Sequence, residues 1–541
     1  MGAGAWQRIS SPDAGGDGMP ASFDVVFVGA GHNALVAAAY LAKAGRSVAL
    51  LERSATPGGF VRSEELTLPG FLHDTYSALH PILAHGPVFA ELGAELGDLG
   101  LRYLQGGIST GASLADGRSA VIPTDPAELA VELDRLGEYD GWIGLFADLD
   151  PHLGSLLPLL GMDLTTPEAG ALLDRLYEEG ATSALPFQEL VTGSAFDLLT
   201  DRFHTEELRS TFLPWPLHVG LGPHEAAGAL WASVFAAALT AGNPVPEGGS
   251  GRLVTVLTAL VERHGGTVIT DTEVDEVLVG GGRAMGVRTT EGAVYTAAEA
   301  VVATTAPGEL YGRLLRYAPG VPAGVRGQAA RFRYRRGCFQ VNLALSRKPR
   351  FADPRLDQGG AVTLGRGVGE LIRSVRQADD GLLPAHPSIS WHESTAVDPG
   401  RAPAGSAVVR LQVLEAPLRP MGDAGGTIAA DGRWTDEMAE RFADRVVTEA
   451  SRHVAGLAGM ILARHVLSPA ALAAANPNAG PGDSNAGHNG LAQGFTQRPV
   501  VAHRGGYATA VPGLFLIGGA TWPGPGVSGA SGRAVAHLLL S

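Results

Sequence analysis

The sequence predicts an α/β fold, and three observations predict it. Phe23 to Val28 is a continuous apolar run suited to a buried parallel strand, followed by a glycine turn and an alanine-rich helix from Ala34 to Ala44. Ser47 to Leu51 returns as a second apolar strand and closes a compact βαβ unit. At the far end, Leu514 to Ile517 is another buried strand, again followed by a glycine-rich turn and a helix to the C-terminus. Matching construction at both ends implies one domain assembled from separated pieces, with a second domain inserted between them.

The elements between the ends follow in order. From Thr124 to about Ala241 the periodicity is mostly helical and interrupted by prolines. Leu253 to His264 reads as a helix, and Thr267 to Ile269 and Val274 to Val279 as strands. The glycines at 280–282 make a turn, Ala284 to Thr289 returns as a strand, and Ala298 to Ala303 is a further buried one. Beyond residue 320, β-rich segments (Cys338 to Leu345, Ala407 to Leu414) precede a helix from Thr435 to His453. A loose Gly/Asn/Pro/Ala passage then runs from Pro469 to Gly490.

Composition excludes several function classes. Against 55 acidic residues stand 40 basic ones, a net charge of −15, which argues against nucleic acid as a partner. Lys43 and Lys348 are the only lysines, so Schiff-base chemistry has almost no candidates. Cys338 is the only cysteine, which excludes intrachain disulfides, Cys-based zinc or iron–sulfur sites and a CxxC redox pair. No apolar run reaches the ~18 residues of a membrane span, so no transmembrane segment is expected. Residues 1–22 lack the cationic start and apolar core of a signal peptide and read as a disordered leader. A cytoplasmic protein is the expectation, its oligomeric state left open, a homodimer included.

Gly29-Ala30-Gly31-His32-Asn33-Ala34 falls between the first strand and helix and is a GxGxxA fingerprint. Gly29 allows the tight turn, Gly31 lets backbone reach a pyrophosphate, and Ala34 keeps the helix close to the strand. The helix N-terminus offers unpaired N–H groups to the phosphates. Glu52 ends the second strand, where a carboxylate would accept both ribose hydroxyls and repel a 2′-phosphate. Glycine makes up 75 of 541 residues, so a lone triplet would be weak; strand, turn, helix, strand and terminal Glu together are not. NAD and FAD both remain open on this unit. The second glycine pair, Gly58-Gly59, suits the longer ligand.

From Glu52-Arg53 through Gly58-Gly59-Phe60-Val61-Arg62-Ser63 the chain resembles the FAD-containing amine oxidase and phytoene desaturase superfamily. It is similar in particular to the phytoene-dehydrogenase-related branch, that of the pyridine nucleotide-disulfide oxidoreductase domain-containing 2-like proteins. Pro246 to Leu253 and Thr272 to Val277 resemble its central segments, and His488, Gln493 and Arg498-Pro499 its late passage. The most specific match is Pro512 to Ala530, with Gly518-Gly519-Ala520-Thr521 and Gly526-Val527-Ser528-Gly529-Ala530. The resemblance implies a Rossmann-like, GR2-type FAD-binding domain with an inserted α+β substrate domain, and FAD rather than NAD. It carries cofactor-binding roles onto Gly29, Gly31, Asn33, Ala34, Glu52, Arg53, Gly58, Gly59, Arg62, Val274, Gly518, Gly526, Val527 and Ser528. Trp522 stands where the family often has histidine beside the flavin, and Pro525 and Thr305 replace glycines.

The expected division is residues 23–100, 245–320 and 495–541 for the FAD-binding domain and 101–244 and 321–494 for the substrate domain. Lining residues are expected from Phe71 to Pro81, from Phe212 to His218, and at Trp522. Tyr76, His80 and His218 are the candidate proton acceptors. The function implied is an FAD-dependent dehydrogenase or desaturase that takes hydride from an apolar or amphipathic organic molecule onto flavin N5. Oxygen, a quinone or another acceptor would re-oxidise it. A flavin amine oxidase and a non-redox FAD-dependent isomerase or structural flavoprotein are the alternatives. No metal is expected. Gly107 to Gly111 matches GxSxG, but it reads as part of a hairpin rather than a nucleophile elbow, and Cys338 reads as packed in a strand.

Overall fold

A computed structural model describes residues 21–180 and 183–541. Residues 1–20 of the expected leader lie outside the described residues. Ala21 and Ser22 do not belong to a leader: the first strand is Ala21–Val28, and these two residues pair with Tyr295 and Thr296.

Seven strands form the first sheet, in the order Val274–Gly280, Arg283–Thr289, Val294–Ala303, Ala21–Val28, Val48–Leu51 and Thr267–Ile269, with Leu514–Leu516 pairing on Val294–Ala303. The four pairings among its N-terminal, central and C-terminal strands are parallel, which requires the chain to leave and return. Val25, Val26 and Phe27 are fully buried because helices cover both faces. The helix His32–Lys43 is rich in alanine for a packing reason: a Cβ on Gly532 of the C-terminal helix Ala530–Leu540 would lie 2.0 Å from the Asn33 carbonyl oxygen. Only small side chains permit that approach. The C-terminal helix begins at Ala530 because Gly529 adopts a left-handed φ of 70° immediately before it.

A second seven-stranded sheet runs Ile461–Leu467, Arg336–Leu345, Ala407–Pro417, Ile389–Glu393, Ala361–Gly365, Ile108–Leu114 and Ser119–Pro123. Its central strands alternate the faces to which successive side chains point. Phe339, Val341 and Leu343 share a face with Leu411 and Val413 and form a core with Phe442 and Val446 of the helix Asp436–Ala450. The opposite face carries Gln340, Asn342, Arg410, Gln412, Ser390 and His392. The segment with the GxSxG pattern is a hairpin strand, and Ser109 in it is fully buried. Helices from residue 126 to residue 240 form a third layer around Leu145, Phe203, Phe212 and Trp231. Arg401 ties the layers together, pairing with Asp74 and, at 2.9 Å, with Asp398, all three side chains being buried.

Candidate functional site

One cavity of about 340 Å3 runs from the first sheet to the polar face of the second. At the first sheet it is bounded by two glycine turns that pair with each other. Gly31 bridges Gly58, and the Gly58 N–H donates to Ala30 O at 2.8 Å. Gly29 holds φ at 93° and Gly58 at 118°, conformations that favour glycine. A Cβ on Gly31 or Gly518 would meet nothing within 4 Å, so the backbone at both points faces open space.

The helix that starts at His32 has no side-chain cap and no acidic residue in its first turn. Its leading N–H groups are therefore available to an anion. Arg62 lines the same cavity, and its buried Nε has no hydrogen-bond partner among the described residues. Glu52 Oε2 accepts from Ala30 N and Oε1 from Ser54 N, both at 2.9 Å. Each oxygen keeps a lone pair for a ribose hydroxyl while the carboxylate fixes the turn. Val274, with Thr272 and Glu273, lines the far end. These features fit a dinucleotide with two phosphates and a ribose at Glu52. At the C-terminal end, Gly518 N donates to Ser531 Oγ at 3.0 Å, and that hydroxyl donates to Asn33 Oδ1 at 3.1 Å. Gly518, Gly526 and Val527 thereby meet the helix start in the cavity.

Of the expected cofactor residues, Gly29, Gly31, Asn33, Glu52, Arg53, Gly58, Gly59, Arg62, Val274, Gly518, Gly526 and Val527 line this one cavity. Ala34 and Ser528 do not. Ala34 is fully buried between helix and strand, the packing role expected of it, and Ser528 Oγ accepts from Ala530 N at the start of the last helix.

Tyr76 and His218 line the cavity as expected. Burial raises the Tyr76 phenol, so it stays protonated at neutral pH. Burial lowers His218 to about 4, which keeps its ring neutral. Its Nδ1 lies 3.2 Å from Trp215 O, so Nδ1–H donates and Nε2 carries the free lone pair. His80 is corrected: it lies beneath the wall rather than in it, fully buried, with Nδ1 3.1 Å from the Tyr103 hydroxyl. Trp522 is corrected too. Its indole N–H donates to Leu159 O at 2.8 Å, and its ring stacks on Phe495 at 4.8 Å, facing the helical layer. Leu159 ends a helix, where carbonyls lack intrahelical partners, and a buried indole N–H must find an acceptor.

Several lining residues escaped the sequence reading. Asn476 and Asn478 come from the loose passage after Pro469; Asn478 accepts from Ala306 N and donates to Thr304 O, both at 2.8 Å. Gln340, Ser390, Arg410 and Gln412 come from the second sheet. Cross-strand register aligns Gln340, Gln412 and Ser390 in one row and His465, Asn342, Arg410 and His392 in the next. Their signal was present as polar residues at every second position of strands otherwise apolar.

Residues 35–414 match the family described as flavin containing amine oxidoreductase, well over half of the chain. A rat protein called pyridine nucleotide-disulfide oxidoreductase domain-containing protein 2 is 27% identical over 99% of this chain and 96% of its own. A limonene dehydrogenase component from Castellaniella defragrans is 24% identical over 93% of this chain and 91% of its own. Among solved structures, cyclohexylamine oxidase from Brevibacterium oxydans shares the fold at a TM-score of 0.58 and 15% identity, over 96% of this chain and 98% of that one. No helix among the described residues is long and apolar enough to cross a membrane. With a cavity whose glycine turns, open helix N-terminus and Glu52 carboxylate suit FAD, the chain belongs to the flavin containing amine oxidoreductase family and is an FAD-dependent oxidoreductase.

Proposed function

We propose that this protein is an FAD-dependent dehydrogenase acting on an amphipathic organic molecule with a substantial apolar part. The observation that carries the reading is the continuity of the cavity: the crevice of the glycine turns opens directly onto a wall of Trp215, Val219, Phe235 and Leu414. FAD bound there supplies a two-electron acceptor for a hydride leaving a substrate C–H. The apolar wall holds the substrate and excludes water. The second sheet supplies the polar contacts that orient it. Neutral His218, with its free Nε2, is the group placed to take a proton.

A cationic side chain in the wall, Arg410, weighs against an ammonium substrate, so the amine oxidase alternative gains no support from this cavity. The test is anaerobic mixing of the FAD-loaded protein with amphipathic alcohols, alkenes and amines. Bleaching of the flavin band by a non-amine supports the dehydrogenase; bleaching by amines alone overturns it. Turnover without any acceptor consumed would support the isomerase alternative. Re-oxidation with oxygen or a quinone in the same cuvette then identifies the acceptor class.

A further inference from the structure

Buried arginines in this protein are matched with care. Arg336 pairs with Glu225 and Asp379, and Arg401 with Asp74 and Asp398. Arg498 has no carboxylate but donates to five backbone carbonyls. Arg410 is the exception. It is 9% exposed, and among the described residues it donates only to the Tyr76 carbonyl; its Nε has no hydrogen-bond partner. Asp74, the acidic group whose field reaches it, is already held by Arg401, Ser63 Oγ and Ser250 N. A buried guanidinium without a counter-charge is unfavourable unless something else supplies the charge.

Arg410 lines the cavity from the second sheet, together with Gln412 and the apolar Trp215 and Phe235. The phosphates of a dinucleotide have their own site at the glycine turns and the open helix N-terminus, on the other sheet. We propose that Arg410 anchors the carboxylate of an amphipathic substrate whose apolar part lies against Trp215 and Phe235. The inference rests on the reading of this cavity as a substrate site and narrows that reading to one class of molecule. A carboxylate can accept from a terminal guanidinium nitrogen in a charge-assisted hydrogen bond that a neutral or cationic head group cannot reproduce. The carboxamide of Gln412, whose Nε2 lies 3.2 Å from Cys338 Sγ, adds a polar neighbour in the next row of the sheet.

The test uses the FAD-loaded protein and three probes of one chain length: octanoate, octanamide and octylamine. Binding is read by calorimetry and by the flavin difference spectrum. Octanoate is expected to bind at least about tenfold more tightly than either of the others, and Arg410→Met to level the three. Arg410→Lys, which keeps the charge without the fork, is expected to retain part of the preference. Octanamide or octylamine binding within about threefold of octanoate overturns the proposal, and this ranking on the natural protein decides it even if the variants do not fold. A failure of the oxidoreductase reading looks different: the protein would hold no flavin and take up none, while calorimetry would still report the ranking.

Discussion

Gly29→Ala isolates what the first glycine turn does. At φ of 93°, an alanine is strained by about 1–2 kcal/mol relative to glycine. Its Cβ would also lie 2.4 Å from Thr304 Oγ1, a non-bonded separation that Cβ atoms do not sustain. Thr304 must then swing away from Val28 O, to which it donates at 3.0 Å, with the loss of about 1 kcal/mol. The turn cannot simply relax, because Gly29 N donates to Leu51 O at 2.8 Å and Ala30 N to Glu52 at 2.9 Å. The sum is about 2–3 kcal/mol, which appears as a roughly 30- to 150-fold weaker affinity for FAD if binding requires the native turn. Titration of the apoprotein with FAD, followed by quenching of flavin fluorescence, measures it. The double variant with Thr304→Ala removes the clash but not the φ strain, so it should recover about tenfold and leave about tenfold uncorrected. A Gly29→Ala protein that binds FAD within about threefold of the natural one would refute the argument, as would a Thr304→Ala change that recovers nothing.

Glu52→Gln should weaken FAD by about ten- to a hundredfold, because one of the two N–H groups held by the carboxylate would then face an amide nitrogen; unchanged affinity in the same titration contradicts the role of Glu52. Trp522→Phe removes the bond to Leu159 O and should lower stability by about 1–2 kcal/mol while leaving the visible flavin spectrum as it was. A shifted spectrum would instead place Trp522 at the ring. Glu415, buried and raised to about 7, accepts from Ser388 N at 2.6 Å and Ser374 Oγ at 3.1 Å. Its folded state binds more protons than the unfolded between about pH 4.5 and 7, so the group's contribution to stability is lost as pH rises through that window. Glu415→Gln should therefore raise the melting temperature at pH 8 and leave it unchanged at pH 5; an equal effect at both values contradicts this.

The parts of the site that were legible in the sequence are those made by neighbours in the chain. Gly29 to Ala34, Glu52 and Gly58-Gly59 lie within about one βαβ unit, and their spacing alone brings them to one turn. Residues contributed by distant strands left no such local trace. Asn478 acts on Thr304 and Ala306 across more than 170 positions, from a passage whose composition suggested only a loop. Trp522 shows the opposite failure. It sits between Gly518 and Gly526, both of which line the cavity, yet the turn sends its ring to the helical layer. Nearness along the chain set its place but not its direction. Ala21 and Ser22 read as leader because neither is apolar enough to extend the Phe23 run, whereas the register with Tyr295 and Thr296 depends on backbone.

The second sheet shows where function was written in the pattern itself. Every residue from Arg336 to Leu345 is buried, and on physical grounds such a strand should be apolar on both faces. Instead Gln340 and Asn342 alternate with Phe339, Val341 and Leu343, and Gln340 Oε1 and both polar atoms of the Asn342 side chain have no hydrogen-bond partner among the described residues. Each such group destabilises the fold by about 1–3 kcal/mol. Valine or leucine at these positions would stabilise the sheet, as it does on the other face. Polar side chains on one face of a buried strand, repeated in register on two neighbouring strands, therefore serve something other than packing. Four members of the same rows, Gln340, Ser390, Arg410 and Gln412, line the cavity that the glycine turns open into. The stability forgone on that face accords with the proposed substrate wall, polar along the second sheet and apolar at Trp215 and Phe235.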